Sequence, residues 1–321
     1  MNRRFTVVAA AAVTAFGLTT GSARAADFPC NTARVLVPWA PGGETDIINR
    51  IIVDAVNRLG ADPQLQVVNI KGQGGMKGTK EARKAKPDGC TVFATFQHEL
   101  ASNLTGRMDF TYDQFEPIAM MVSTASIIGA GSEAPFNDYK SMQSYAKANP
   151  NQLLAGGTLG STSHFTLLQV QDALGIDMKV VSYDGTADRM TAMLSNTIHI
   201  GQVSEATAAK HVQSGKLKVI AINAEDRSKV LPDLPTAMEQ GFSISITTDR
   251  GWVLPKGASK AAVQHYANLL EKVANDPQFQ KSITDKGSKV RFMGTEAYTQ
   301  WWADTNDKWT GIAKRLGVLA K

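Results

Sequence analysis

The chain is poor in the residue types that most reactive sites need. Its 321 residues include only two cysteines and five histidines, and the histidines fall at 98, 164, 199, 211 and 265 with no partner at metal-ligand spacing such as H-E-x-x-H, so metal catalysis has no support. A G-x-S-x-G elbow is also missing. The simplest hydrolase would pair Ser161 or Ser163 with His164, and adjacent residues on one helix make a poor nucleophile and base. The glycines at 72, 74, 75 and 78 lack the spacing of a dinucleotide loop, and no acid follows a later strand in the expected place. No cofactor is expected. The basic cluster Lys71, Lys77, Lys80, Arg83, Lys84 and Lys86 has no interleaved aromatics and reads as a solvated helix face, which argues against nucleic acid as a partner.

Only one apolar run could be mistaken for a bilayer span, and it lies at the N-terminus. Arg3 and Arg4 precede an uncharged stretch from Phe5 to about Thr20, and Ala23-Arg24-Ala25 supplies small residues at a cleavage spacing, so residues 1–25 read as an export signal. Its loss removes three arginines and no acid, taking the net charge from +5 to +2. The remaining length, about 300 residues, exceeds what one core usually organises, and two lobes are expected. Two cysteines in an exported chain favour a disulfide. Cys30 precedes the expected strand Ala33–Pro38 and Cys90 precedes Thr91–Thr95, so parallel neighbours would bring both thiols to one end of a sheet. Two buried free thiols are the alternative.

The most informative stretch is Val35-Leu36-Val37-Pro38-Trp39-Ala40-Pro41-Gly42-Gly43-Glu44-Thr45-Asp46. An apolar run gives way to a Pro-Gly-Gly turn, and apolar residues then recur at 48, 51, 52, 55, 56 and 59, the period of one helix face. Strand, turn and helix leave unpaired amides at the positive end of a helix dipole, a place prepared for an anion. Further strands are expected at 65–70 and 91–95, the latter ending at Phe96-Gln97-His98. Ligands in parallel α/β sheets sit beyond the carboxyl ends of the strands, which puts Pro41 to Asp46, Gln97 and His98 at the same edge. An extended segment from Phe115 to Ile128 suits a crossing strand. The β/α alternation then restarts, with helices near 139–148, 162–174, 187–194 and 204–212, strands near 153–155, 179–183, 198–203 and 217–222, and a candidate return strand over 244–254. A final helix carries Tyr298, Trp302, Trp309, Ile312 and Leu316 on a face that reads as core.

Several motifs together resemble one family, the periplasmic substrate-binding proteins of tripartite tricarboxylate transporters, or Bug-type receptors. They are Pro38 to Asp46, Lys86-Pro87-Asp88-Gly89-Cys90-Thr91, Phe115-Glu116-Pro117-Ile118-Ala119, Gly160-Ser161-Thr162-Ser163-His164, Tyr183-Asp184-Gly185, Ser214-Gly215-Lys216-Leu217, Leu231 to Thr236, and Gly251-Trp252. They run in the family's order along nearly the whole chain. The resemblance implies a two-lobed α/β periplasmic-binding-protein fold of the Venus flytrap, type II-like kind, each lobe a mostly parallel sheet flanked by helices and hinged by crossing strands. Lobe 1 would comprise 26–124 and 250–321, lobe 2 125–249. It further implies a periplasmic, non-enzymatic monomer that holds a small carboxylate and delivers it to membrane permease subunits. One carboxylate end would lie at Pro41 to Thr45 and the other at Ser161, Thr162 and Ser163, so that two helix starts select a dicarboxylate-like molecule without a dedicated arginine. Trp39, Gly42, Gly43, Glu44, Asp46, Gln97, His98, Asp184 and Ser204 complete the expected ligand set. Trp39 would either stack on a flat ligand or sit at the lobe edge.

The chain also departs from the family's pattern. His199 stands where members carry Asp, and Asn196 where a Gly precedes that strand, Asn being the next best residue at positive φ. Glu44 either complements its helix dipole or turns into the cleft, where it would favour an amino-bearing or aromatic acid. A receptor that presents its ligand to a membrane sensor is the remaining alternative from sequence.

Overall fold

A computed structural model describes residues 28–183 and 185–320. The expected export signal and Asp184 lie outside the described residues. In chain order the elements are β1 Thr32–Val37, α1 Glu44–Arg58, β2 Gln64–Asn69, α2 Met76–Lys84, β3 Thr91–Thr95, α3 His98–Leu104, β4 Phe115–Gly131, α4 Tyr139–Ala148, β5 Leu154–Gly157, α5 Thr162–Leu174 and β6 Lys179–Ser182. They continue with α6 Thr186–Leu194, β7 Ile200–Val203, α7 Glu205–Val212, β8 Leu217–Asn223, β9 Thr247–Pro255, α8 Lys260–Ala274, α9 Pro277–Thr284, β10 Lys289–Met293 and α10 Thr295–Arg315.

Two α/β halves share one long strand. In the first, β1 pairs in parallel with β2 and β3, and β9 returns antiparallel against β3 and the early part of β4. In the second, β5 pairs in parallel with β6 and β7, while the late part of β4 pairs antiparallel with β7 and β8. The 17 residues of β4 are therefore the crossing strand, with β9 running beside it from Ala125↔Thr247 to Phe115↔Pro255. β3 is buried throughout and β1 is buried from Val35 to Val37, as strands covered by helices on both faces are. Their parallel pairing brings Cys30 and Cys90 to one end, where the expected disulfide forms with the Cα atoms 6.1 Å apart.

Packing also fixes the direction of α1. Ile48, Ile52, Val53, Ala55 and Val56 are buried at helical spacing against the first-half core. Trp252 of β9 is fully buried and donates its indole N–H to Asn49 Oδ1 at 2.8 Å, while Asn49 Nδ2 donates to the Thr45 carbonyl at 2.8 Å. A buried aromatic with a satisfied N–H thus pins the first turn of α1 to the return strand.

The halves touch. Ser102 Oγ of α3 donates to the Gly160 carbonyl at 2.7 Å, Phe165 of α5 stacks on Trp309 of α10 with ring centroids 4.6 Å apart, and Arg315 pairs with Asp172 at 2.6 Å. No described helix is long and apolar enough to cross a membrane.

Candidate functional site

At the end of β1 the chain turns through Pro41 and Gly42, where φ is +78° and a glycine is needed. Gly43 has an ordinary φ of −74°, so of the two glycines only the first is demanded by the backbone. Gly43 is the N-cap of α1 and no side chain caps the helix, which leaves the leading amides beside an exposed turn.

Asp46 is turned into the fold. It is 1% exposed, and its carboxylate accepts from the Gly42 amide at 2.8 Å, from Arg50 Nε at 2.9 Å and from Asn69 Nδ2 at 2.8 Å. Burial alone would push this carboxyl up, but the donors from Arg50, Gly42 and Asn69 outweigh it and hold it below the usual range. Its role is to tie the turn.

Glu44 has a partner that sequence reasoning missed. Arg250 of β9, with 3% of its side chain exposed, donates from Nη2 to Glu44 Oε2 at 2.6 Å, from Nε to Thr45 Oγ1 at 3.3 Å and from Nη1 to Thr124 Oγ1 at 2.8 Å. The acid at the head of α1 is therefore charge-matched, and this arginine is engaged by Glu44. One signal was readable: Arg250 is a cation inside the otherwise extended run Thr247 to Pro255.

Gln97 and His98 lie at the expected edge and are consumed by structure. Gln97 donates to the Thr247 carbonyl and to Asp249 Oδ2, each at 3.0 Å, and accepts from the Asp249 amide at 3.0 Å, fastening the β3–α3 turn to β9. His98 is fully buried, with Nε2 2.9 Å from Thr79 Oγ1 and Nδ1 3.1 Å from the Phe96 carbonyl. Burial drives its imidazole down to about 3, so the ring is neutral. Strand direction gave the correct edge; the side chains turn inward. Trp39 stacks on Phe96 with centroids 5.8 Å apart and meets His98 edge-on, and its Nε1 is buried without a partner among the described residues.

In the second half, β5 leads through Thr158 into the head of α5. Thr158 donates its amide to Ser163 Oγ at 3.0 Å, Ser163 Oγ lies 3.0 Å from Ser161 Oγ, and Thr158 Oγ1 donates to the Tyr183 carbonyl at 2.7 Å. Two of the three expected hydroxyls are thus spent inside the loop. Thr162 Oγ1 is the exception: the residue is 7% exposed and this oxygen is buried with no hydrogen-bond partner. Ser161, the N-cap, makes no side-chain cap, so α5, like α1, starts uncapped.

His164 Nδ1 accepts from the Gly160 amide at 3.3 Å and has no hydrogen bond to Ser161 or Ser163 among the described residues. Burial, helped by Arg107, lowers it to about 4. His199 accepts from the Leu154 amide at 3.1 Å at the start of β7, away from the strand's carboxyl end, and Asn196 has φ +54°. Ser204 is the N-cap of α7 but caps no backbone amide with its side chain, which instead bonds to Thr207 Oγ1 at 2.9 Å. Next to it Glu205 is buried and accepts from Ser228 Oγ at 2.7 Å. Burial raises its carboxyl, the Ser228 hydroxyl opposes the rise, and the charge of Glu44 adds to it.

A second arginine was also missed. Arg189 of α6 is 2% exposed and lies beneath the α5 head, with Nη1 3.4 Å from Ser163 Oγ. It falls on the buried face of α6 with Met190 and Met193, where a charged residue at apolar spacing was the available signal. No group of three His, Cys, Asp or Glu side chains that could hold a metal ion occurs among the described residues.

The chain has wide similarity to known proteins. A 27% identical relative, the UPF0065 protein in the gbd 5' region of Cupriavidus necator, aligns over 316 residues, 96% of this chain and 95% of the relative. The solved structure of periplasmic binding protein BugD has TM-score 0.77 and 27% identity, covering 90% of this chain and 99% of that one. MatC of Rhodopseudomonas palustris, solved with bound malate, has TM-score 0.77 and 25% identity, covering 89% and 99%. Residues 48–318 match the model of the tripartite tricarboxylate transporter family receptor, and the chain belongs to that family of periplasmic binding proteins.

Proposed function

We propose that this chain is an exported receptor that captures a small carboxylated organic molecule between its lobes and delivers it to a tripartite tricarboxylate-type permease, acting by binding and release without covalent chemistry. The observation that carries the reading is the pair of uncapped helix starts, α1 and α5, one per half, with Thr162 Oγ1 buried and unpartnered at the second. Leading amides at the positive ends of two dipoles suit the two ends of a dicarboxylate. MatC, the relative solved with malate, supports a ligand of that size.

In this reading Pro41 to Thr45 take one end of the ligand, and Ser161 to Ser163, Asp184 and Ser204 line the other side. Lobe 1 comprises 26–124 and 250–321, lobe 2 comprises 125–249, and residues 1–25 are cleaved on export. Closure by hinging along β4 and the approach to β9 excludes water and completes the second set of hydrogen bonds.

A thermal-shift screen of residues 26–321 against mono-, di- and tricarboxylates, aromatic acids and amino acids tests it. A ligand that binds only the native state stabilises it by about 2.7 kcal/mol at a hundredfold excess over Kd. At least one carboxylate should raise the melting temperature saturably; a flat response across all of them contradicts the reading. Delivery is tested in proteoliposomes carrying the permease subunits, where uptake of that ligand should require the receptor.

A further inference from the structure

Arg189 is a cation whose hydrogen-bond partners among the described residues are all neutral. Its Nε donates to the Gln202 carbonyl at 2.9 Å, Nη2 contacts Thr186 Oγ1 at 3.2 Å and Gln202 Oε1 at 3.4 Å, and Nη1 reaches Ser163 Oγ at 3.4 Å. No carboxylate pairs with it among the described residues. Only the first of these contacts is short, so a five-donor fork is left with capacity to spare. A buried charge without a counter-charge costs several kcal/mol, and a chain keeps one when something else supplies the opposite sign.

The fold makes room for this side chain. Gly156 of β5 and Gly201 of β7 are opposite each other in the parallel ladder. A Cβ on Gly156 would stand 2.9 Å from Arg189 Cγ, and one on Gly201 would stand 2.9 Å from Arg189 Cδ. The stem lies across this glycine pair, and the guanidinium reaches Ser163 at the α5 head, where the preceding residue, Thr162, has a buried unpartnered Oγ1. Cation, uncapped amides and free hydroxyl thus converge on one spot at the carboxyl ends of β5 and β7.

We infer that Arg189 is a specificity-determining residue that supplies the counter-charge for an acidic group of the ligand at the head of α5, acting with Thr162 and through Ser163. The inference rests on the carboxylate-receptor reading and deepens it: the second lobe selects an ionised acid over its neutral amide. Arg250 cannot do the same in the first lobe, because Glu44 already neutralises it.

The experiment compares acids with their monoamides on the mature chain: succinate with succinamate, aspartate with asparagine, glutamate with glutamine, phthalate with phthalamate. Affinities are measured by calorimetry for the wild type, Arg189→Gln and Arg189→Lys, with melting temperatures in the absence of ligand. The wild type should prefer at least one acid over its amide by tenfold or more. Arg189→Gln should shrink that preference to threefold or less, with the ligand-free melting temperature unchanged or raised, since a buried uncompensated charge has gone. Arg189→Lys keeps the charge and loses the fork, and should weaken the acid about fivefold or more while leaving the amide unchanged. A preference kept in Arg189→Gln, or an acid affinity unchanged in Arg189→Lys if the Gln variant does not fold, overturns the inference and leaves the receptor reading standing. A wild type that binds none of the acids overturns both.

Discussion

Arg250 Nη2 lies 2.6 Å from Glu44 Oε2, so the acid at the mouth of the first-lobe turn and the buried cation of the return strand form one neutral unit. Glu44 remains partly open, at 31% side-chain exposure, while Arg250 is sealed at 3%. Replacing Glu44 by Gln strands a buried guanidinium, so the variant should lose about 1–2 kcal/mol of stability. It also makes the head of α1 net positive. Carboxylate affinity should therefore rise about threefold in low salt, measured by calorimetry, with the gain fading as salt is added. A weaker affinity would favour the reading in which Glu44 itself receives an amino group; an unchanged affinity would contradict both that reading and this one.

Ser102 Oγ donates to the Gly160 carbonyl across the two halves. Ser102→Ala removes a contact made only when the lobes meet. Ligand affinity should fall by about 0.5–1.5 kcal/mol with a faster off-rate, read by stopped-flow dissociation.

Glu99 is 1% exposed, and burial pushes its carboxyl up to about 8, with hydrogen bonding from Thr95 Oγ1 opposing the rise. Its folded value is above the unfolded one, so the native state binds the extra proton. The stability this contributes is fully present below about 4.5 and is lost as pH rises to about 8, with a slope of up to about 1.4 kcal/mol per pH unit. His98 acts in the opposite sense: its lowered value of about 3 means that stability present above about 6.5 is lost as pH falls toward 3. Urea melts should show Glu99→Gln gaining on the wild type steadily between pH 5 and 8. Parallel pH profiles would contradict the assignment.

The Cys30–Cys90 bridge closes a separation of 60 residues. In the chain-entropy description its loss costs about 4 kcal/mol. Denaturation of the reduced protein and of the double Cys→Ala variant should show a lower midpoint with the same ligand preference, because the bridge lies at the amino ends of β1 and β3, opposite the site.

Much of this architecture is readable along the chain because parallel β/α units announce themselves locally. The apolar run 35–37, the Pro-Gly-Gly turn and the spacing 48, 52, 55, 56 specify β1, the loop and α1 without long-range information. α3 was hidden because His98–Leu104 is short, and β10 because Lys289–Met293 is an edge strand with a bulge against β4. Side-chain destinations are a different matter. Asp46, Gln97 and His98 were placed at the right edge, yet partners 23, 152 and 19 residues away in sequence turn them to structural work. Arg250 and Arg189 were invisible for the same reason: Glu44 is 206 residues from Arg250, and Ser163 is 26 from Arg189.

The most direct measurement is a crystal structure of the mature chain with the acid that stabilises it most. The account predicts one carboxylate within hydrogen-bond reach of the leading amides of α1 and the other at Thr162 Oγ1 and the α5 amides. A ligand seated instead in the outer cavity of about 380 Å³ lined by Gln169, Asp172, Lys308 and Arg315 would contradict it.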